Sequence, residues 1–201
     1  MARGDVAVFD RFARYYDFVM PGAKATQLGR ALDLADRPVA RLVDLGGGTG
    51  RATQALSADE RVVLDAARGM LERARSHDLA CVQGDASRLP LTDGSVDAIT
   101  IVDALHHVYD WDGVFTEAFR VLGPGGVFVV SDFDPTTLLG RGLVAAEHLV
   151  GFESRFLSPR RLCEHLESVG FETVVLDTGF GYTVAGVVPK RESRNHSTPE
   201  E

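Results

Sequence analysis

A cluster of glycines between residues 46 and 50 is the part of the sequence that points most directly to a ligand site. The segment from Val43 to Arg51 reads VDLGGGTGR. Gly46, Gly48 and Gly50 fall in a Gly-x-Gly-x-Gly phase directly after an apolar run. Glycine lets the backbone turn sharply and approach a ligand without a clash from Cβ. We therefore predict a nucleotide-like binding loop here, with a plain glycine turn as the alternative.

The spacing of these glycines argues against two common phosphate-binding loops. The dinucleotide pattern Gly-x-Gly-x-x-Gly has only a degenerate match that begins at Gly47, with Thr49 in its middle position and Ala52 at its end. A P-loop would require Gly-Lys followed by Ser or Thr, and Arg51 stands after the last glycine. The loop by itself therefore does not select a cofactor.

Two acidic residues follow the loop, each at the end of an apolar run. Asp65 lies about 20 residues beyond it, where a carboxylate can accept both hydroxyls of a ribose; a strand-end acid or helix cap is the alternative. Asp85, in QGDA from Gln83, would lie at the same sheet edge, within reach of an adenine amino group, with the backbone N–H of Ala86 beside a ring nitrogen. Asp65 suits both NAD and S-adenosylmethionine, whereas Asp85 favours the latter.

A third polar group follows the next predicted strand. Asp103, His106 and His107 come at its carboxyl end, where ligands bind in open α/β sheets. Histidine changes its charge near neutral pH, so His106 and His107 are candidate catalytic bases. The alternative is a structural turn that packs on the cofactor side.

The elements that must position these residues alternate from about residue 40 between β-branched runs and helix-period segments. This pattern is typical of a parallel sheet covered on both faces. A helix over Trp111 to Leu122 is expected to end at Gly123-Pro124-Gly125-Gly126, with glycine in a left-handed conformation and proline blocking continuation. The first five predicted strands are Ala40 to Leu45, Arg61 to Asp65, Leu79 to Gln83, Val96 to Val102 and Val127 to Asp132.

The last part of the chain predicts one more helix and a hairpin. Ser158 and Pro159 suit the N-cap and first position of a helix that Gly170 closes. Two further strands, Phe171 to Asp177 and Tyr182 to Val188, are separated by a turn of hairpin length, so the last strand should be antiparallel. We expect one domain over residues 1–189 and a disordered polar tail over 190–201.

Charge, apolar run length and cysteine spacing argue against several classes of function. A net charge of −8 without a Lys/Arg stripe disfavours nucleic-acid binding. No apolar run is long enough to cross a bilayer and the N-terminus lacks a signal core, so a cytoplasmic location is expected. Cys81 and Cys163 are far apart and predict reduced, buried thiols. We expect no metal site.

The motifs taken together resemble those of the class I S-adenosylmethionine-dependent methyltransferases, within them the small-molecule group that includes the ubiquinone and menaquinone biosynthesis enzymes. The resemblance covers nearly the whole chain. It rests on FDRFARYYD (residues 9–17), VDLGGGTG (43–50), Asp65 with Met70 and Leu71, GDA (84–86), ALHH (104–107) and EAFRVLGPGG (117–126).

This resemblance implies a role for each candidate residue. The glycine loop would hold the methionine part of S-adenosylmethionine, Asp65 the ribose, and Asp85 with Ala86 the adenine. Asp44 would orient the loop, and Tyr16 would cover the cofactor from N-terminal lid helices within residues 1–39. Ala66, Met70 and Asp103 would also lie beside the cofactor. The implied fold is a Rossmann-like, doubly wound α/β sheet of seven strands in the order 3-2-1-4-5-7-6.

We therefore expect transfer of a methyl group to a small acceptor, such as a quinone precursor, that is hydrophobic or aromatic. The segment 133–157 would form an acceptor-side insertion, and its apolar residues suit such an acceptor, although ordinary helix packing requires them too. Glu147 and His148 are either pocket groups or surface residues. The alternatives are an NAD-dependent oxidoreductase and a non-catalytic S-adenosylmethionine-binding protein. The sequence does not decide between a monomer and a homodimer.

Overall fold

Seven strands form a single sheet in the computed structural model, which describes residues 25–149, 151–152 and 154–190. The strands are β1 (Arg41–Leu45), β2 (Glu60–Asp65), β3 (Ala80–Gln83), β4 (Val96–Val102), β5 (Leu122–Phe133), β6 (Glu172–Asp177) and β7 (Gly181–Val187). Their order is β3-β2-β1-β4-β5-β7-β6. β1 to β5 pair in parallel, and β7 is antiparallel to both β5 and β6. The predicted order and the antiparallel last strand are confirmed.

Helices cover both faces of the sheet because alternate strand residues are apolar on both sides. Val43 and Ile99 belong to the core on one face, whereas Leu42 and Ala98, one residue before them, belong to the core on the other face. The helices are α1 (Ala25–Leu32), α2 (Arg51–Gln54), α3 (Arg68–Arg75), a 3-10 turn (Leu105–His107), α4 (Trp111–Val121), α5 (Leu138–Leu149) and α6 (Pro159–Val169). None of these helices is both long and apolar enough to span a bilayer.

The N-terminal segment is only partly described. α1 packs on the sheet, with Leu28, Ala31 and Leu32 buried in the same core as Leu42. Tyr16 and the rest of residues 1–24 lie outside the described residues, and so do residues 191–201 of the predicted tail.

The junction between α4 and β5 differs from the prediction. The helix does not end in a left-handed glycine, because Leu122 is already extended (φ −72°, ψ 134°) and pairs with Val96 as the first residue of the strand. Gly125, with φ 78°, lies inside β5, where the pairing with β4 is irregular. The glycine-proline run is therefore a distortion within a strand, and the buried side chain of Leu122 starts that strand five residues before the predicted Val127.

The ends of α6 agree with their sequence signals. The Ser158 side chain accepts a hydrogen bond from the backbone N–H of Arg161, and Pro159 is the first helical residue. Gly170 closes the helix in the left-handed region with φ 118°.

Candidate functional site

A pocket of about 320 Å³ opens at the carboxyl ends of the first four strands. This edge is where ligands bind in open α/β sheets. The pocket is lined by Leu45, Gly46, Leu64, Asp65, Ala66, Gln83, Gly84, Asp85, Ala86, Ile101, Ala104 and Val108. The structure therefore brings the glycine loop, the acid of β2 and the segment after β3 to one cavity.

The glycine loop turns through three left-handed residues. Gly46, Gly48 and Gly50 have φ of 64°, 56° and 81°, a conformation in which a side chain is strained. Each glycine of the predicted Gly-x-Gly-x-Gly pattern is thus at a position where the backbone adopts a positive φ that favours glycine. Gly46 and Gly48 also border a recess of about 30 Å³ beside the main pocket.

Asp44 lies completely buried beneath this loop. Its Oδ2 accepts a hydrogen bond from Thr53 Oγ1 at 2.6 Å, and its Oδ1 accepts one from Thr100 Oγ1 at 2.7 Å. These bonds tie β1 to α2 and to β4. Burial raises the pKa of Asp44 to about 6, although both threonine hydrogen bonds favour the charged form. This geometry supports the predicted orienting role, which stays a prediction.

The buried charge of Asp44 predicts a pH-dependent stability. A pKa raised from 3.8 to about 6 in the folded protein means that ionised Asp44 opposes folding above about pH 6, by on the order of 3 kcal/mol, and that this penalty vanishes below about pH 4. Asp44→Asn keeps the shape, since its oxygen can face Thr53 and its amide can donate to Thr100. We expect the free energy of unfolding of the variant, relative to wild type, to rise as pH increases from about 4 to about 7.

Urea denaturation of both proteins across this pH range measures that difference. Other titrating groups are common to the two proteins and cancel in the difference. A difference that stays constant with pH would contradict the raised pKa.

Asp65 connects the two loops on either side of the pocket. Its Oδ2 accepts a hydrogen bond from Gly48 N at 2.9 Å, and its Oδ1 accepts one from Ala67 N at 2.7 Å. Only 2% of the residue is exposed, at the pocket wall. A carboxylate has about four lone-pair sites in all, and at the pocket wall it can accept hydrogen bonds from ribose hydroxyls. The bridging of the two loops could not be read from the sequence.

Asp85 and Ala86, which follow β3, also line the pocket. Asp85 is exposed, and its Oδ1 accepts hydrogen bonds from both the backbone N–H and the hydroxyl of Ser87, each at 2.9 Å. The backbone N–H of Ser87 is the largest cause that lowers the pKa of Asp85. An ionised carboxylate fixed by a short turn can accept a hydrogen bond from an adenine amino group.

The remaining predicted cofactor residues have distinct positions. Ala66 lines the pocket. Met70 is buried beneath the glycine loop, and its Sδ lies 3.9 Å from the site where a Gly48 side chain would begin. Asp103 follows β4 in a left-handed conformation with φ 51°, and its N–H donates to Ser131 O at 2.9 Å. This strained residue turns the chain towards the two histidines.

His106 is held by Asp132 at the end of β5. Its backbone N–H donates to Asp132 Oδ2 at 3.1 Å, and its ring Nδ1 lies 2.7 Å from Asp132 Oδ1. Phe156 stacks on the imidazole with ring centroids 4.6 Å apart. Burial alone would lower the pKa of His106, but the charge of Asp132 and its hydrogen bond outweigh burial and raise that pKa.

His107 lies beside His106, with ring centroids 4.1 Å apart. Its Nδ1 lies 3.3 Å from Ser154 Oγ, and Phe152 packs against its ring at 5.4 Å. Burial first, then the neighbouring His106, lowers the pKa of His107 to about 2, so this imidazole is neutral. The two predicted bases therefore lie in one cluster of rings with Phe133, Phe152 and Phe156, which we call the histidine chamber, but they differ in their electrostatics.

The segment after β5 supplies the other wall of this chamber. Glu147 on α5 points its Oε1 to within 3.7 Å of His106 Nε2. The ring Nε2 of His148, the next residue, instead lies 3.1 Å from Ser154 O. Of the two residues that the sequence left open, Glu147 therefore joins the site. Thr53 and Thr100, which hold Asp44, were missed, because a threonine in a helix or a β-rich run carries no distinct signal.

The comparisons with known proteins agree with this geometry. Residues 43–130 match the family described as "Methyltransferase domain". Demethylmenaquinone methyltransferase of Beutenbergia cavernae is 40% identical over 139 residues, which cover 64% of this chain and 58% of that protein. Malonyl-[acyl-carrier protein] O-methyltransferase of Xylella fastidiosa is 35% identical over 182 residues, which cover 84% of this chain and 62% of that protein. The chain thus spans about three fifths of these curated relatives.

Two solved structures have the same fold. A S-adenosylmethionine-dependent methyltransferase of Thermotoga maritima superposes with a TM-score of 0.74 at 25% identity, over 90% of this chain and 98% of that one. Phosphoethanolamine N-methyltransferase 2 of Haemonchus contortus, in complex with S-adenosylmethionine, superposes with a TM-score of 0.71 at 15% identity, over 90% of this chain and 57% of that one. At this identity the likeness is one of fold alone. From its strand order, glycine loop and relatives, the chain belongs to the class I S-adenosylmethionine-dependent methyltransferases.

Proposed function

We propose that the protein transfers the methyl group of S-adenosylmethionine to a small acceptor with an aromatic or otherwise apolar body. The observation that carries this proposal is the convergence of the glycine loop, Asp65 and Asp85 on one pocket. Ala104, two residues before His106, also lines that pocket. Family membership favours S-adenosylmethionine over NAD as the cofactor. The cytoplasmic location stays a prediction.

The residues of the chain would act mainly by alignment. Methyl transfer from a sulfonium is a direct displacement: the acceptor atom forms a bond to the methyl carbon while the carbon–sulfur bond breaks and leaves its electron pair on sulfur. In our proposal Asp65 binds the ribose, Asp85 and Ala86 bind the adenine, and the glycine loop binds the methionine part. His106 and His107 face the acceptor.

The aromatic rings around the two histidines suit a flat, apolar acceptor. Phe133, Phe152 and Phe156 are half-buried and lie around the two histidines, with ring centroid distances of 4.6–6.2 Å. Aromatic rings bind other aromatic groups by stacking or edge contacts. Together with the demethylmenaquinone methyltransferases among the relatives, this favours a quinone precursor as the first acceptor to test.

A product assay separates this proposal from a non-catalytic S-adenosylmethionine-binding protein. Purified protein would be incubated with S-adenosylmethionine and either a short-chain demethylmenaquinone or malonyl-[acyl-carrier protein], and both products would be measured by mass spectrometry. The demethylmenaquinone is kept reduced to its hydroquinone by an added reductant, because only the hydroquinone ring is nucleophilic at carbon. We expect S-adenosylhomocysteine and a singly methylated hydroquinone in equal amounts, with the replaced ring proton released to solvent. If only the malonyl group is methylated, the methyl-transfer activity is supported, and the proposed aromatic acceptor is replaced by an acyl carboxylate.

Two variants control the assay. Asp65→Asn should abolish turnover by weakening cofactor binding. His165→Asn changes a half-buried histidine that pairs with the exposed Asp112 and does not line the pocket, and it should leave turnover unchanged. Cofactor binding without any methylated product from either acceptor would contradict the proposed reaction on these acceptors and favour a binding protein.

A further inference from the structure

Three potential metal ligands converge in the histidine chamber. One ligand atom from each of His106, His107 and Glu147 lies within 4.8 Å of the others. We propose that these side chains bind one divalent transition-metal ion, with Zn²⁺ the best match to the donor set, next to the cofactor pocket. The proposal rests on the function proposed above, since it assigns the ion to the acceptor side of the same site.

The orientation of His106 is that of a metal-binding histidine. Such residues almost always use their second ring nitrogen to donate to a carboxylate or carbonyl, which fixes the tautomer. His106 Nδ1 lies 2.7 Å from Asp132 Oδ1, so this nitrogen carries the proton that the carboxylate accepts. In the neutral ring, Nε2 then presents a lone pair towards Glu147 Oε1 at 3.7 Å. Two acceptors that face one another repel unless a proton or a metal cation lies between them.

Glu147 supplies an independent observation. Its Oε2 is buried and has no hydrogen-bond partner among the described residues, which is costly for a carboxylate oxygen. Coordination to a cation would satisfy it. The side chain as a whole is 16% exposed, so the chamber is not sealed from solvent.

The ligand set is of the kind that zinc prefers. Two imidazoles and one carboxylate form the His₂Glu set of open zinc sites, in which a fourth position remains for water or substrate. Ligand atoms of a tetrahedral zinc site lie about 3.3 Å apart, given zinc–ligand distances of roughly 2.0–2.1 Å. His106 Nε2 and Glu147 Oε1 are 3.7 Å apart, and no two of the three ligand atoms are more than 4.8 Å apart, so coordination requires them to approach by about 1.5 Å or less.

An ion at this position would bind an acceptor through oxygen. A hydroxyl or carboxylate oxygen in the open position would be polarised, and a hydroxyl would release its proton to solvent more readily. The acceptor would then approach the methyl group as an anion. This chemistry suits a hydroxylated ring better than a plain hydrocarbon. The proposed site departs from the expectation of no metal. The sequence gives no signal for it, because Glu147 lies 40 residues from His107 and no spacing motif connects them.

Metal binding can be measured without any acceptor. The full chain would be stripped with a chelator, dialysed and titrated with Co²⁺, whose visible absorption reports tetrahedral coordination, and with Zn²⁺ by calorimetry. We expect one equivalent of each ion to bind. Glu147→Gln should weaken binding by about 100-fold or more, at least the loss typical of an outer-shell partner. His165→Asn, which changes a half-buried histidine paired with the exposed Asp112, should bind as wild type does.

A competing account has His106 protonated, with its imidazolium paired to both carboxylates and no metal. Absence of stoichiometric Co²⁺ and Zn²⁺ binding would establish that account and overturn the proposal. Binding that survives in Glu147→Gln with unchanged affinity would also overturn it. S-adenosylhomocysteine binding and thermal unfolding of each variant show that the fold is intact. Because the titration contains no acceptor, its failure is distinct from a failure of methyl transfer.

Discussion

Replacement of Asp65 by asparagine is expected to weaken S-adenosylhomocysteine binding by at least about 100-fold. The wild-type carboxylate accepts hydrogen bonds from Gly48 N and Ala67 N and faces the pocket. Asparagine keeps one of the two oxygens and turns its amide donors towards a backbone N–H. One loop therefore loses its anchor, and the ribose loses a charged acceptor. Hydrogen bonds to charged groups contribute about 1.5–3 kcal/mol each, and about 1.4 kcal/mol corresponds to tenfold in affinity.

Calorimetric titration of the purified variant with S-adenosylhomocysteine measures this loss. Glu72→Gln is the matched control, since it removes the same charge from an exposed acid that pairs with Arg68 on the surface of α3 and does not line the pocket. The control should bind as wild type does. Thermal unfolding identifies any loss that arises from misfolding. An Asp65→Asn protein that is folded and binds within about threefold of wild type would refute the ribose assignment.

The position of Asp65 was predictable, whereas its double use was not. A β-branched run that ends in an acid places this acid at the carboxyl edge of a parallel sheet, and the glycine loop ends the neighbouring strand at the same edge. That much follows from strand periodicity. The hydrogen bonds to Gly48 N and Ala67 N depend on how two loops close over the carboxylate, and loop closure has no periodic signal.

Some features of the sheet could likewise be predicted from the sequence, and others could not. The final hairpin was predicted from two apolar runs and a short turn, but the order of all seven strands came from the family resemblance, because periodicity identifies strands without their neighbours. The start of β5 was wrong by five residues. There the burial of Leu122 and its pairing with Val96 outweigh the local preference of glycine and proline for a turn.

The acceptor side was the least predictable part of the site. His106 and His107 were identified from their place after β4, but their different environments come from residues on other elements. Asp132 belongs to β5 and Glu147 to α5. These contacts form only when the sheet and α5 are assembled, so no spacing in the sequence encodes them.

Gly47→Ala is expected to disrupt the cofactor loop through a single added methyl group. A Cβ at residue 47 would lie 2.7 Å from Asp44 Oδ2 and 2.8 Å from Asp44 Cγ. The carboxylate cannot move aside, because it is fully buried and held by Thr53 and Thr100. We expect the free energy of unfolding to fall by about 1–3 kcal/mol, the usual range for overpacking, and cofactor affinity to fall with it. Gly29→Ala, at an open helix position, should cause neither loss.

A double-mutant cycle tests whether the Asp44 carboxylate is the cause. Asp44→Ala removes the carboxyl group that the new methyl would meet, so Gly47→Ala should be less destabilising in that background than in wild type. Urea denaturation of the four proteins gives the coupling energy between residues 44 and 47, and residues in contact usually couple by about 0.5–3 kcal/mol. If the two effects simply add, the loss of stability in Gly47→Ala does not arise from the Asp44 carboxylate. Coupling of the expected sign would instead mean that the buried acid and the glycine beside it form one unit, which holds the loop open for the cofactor.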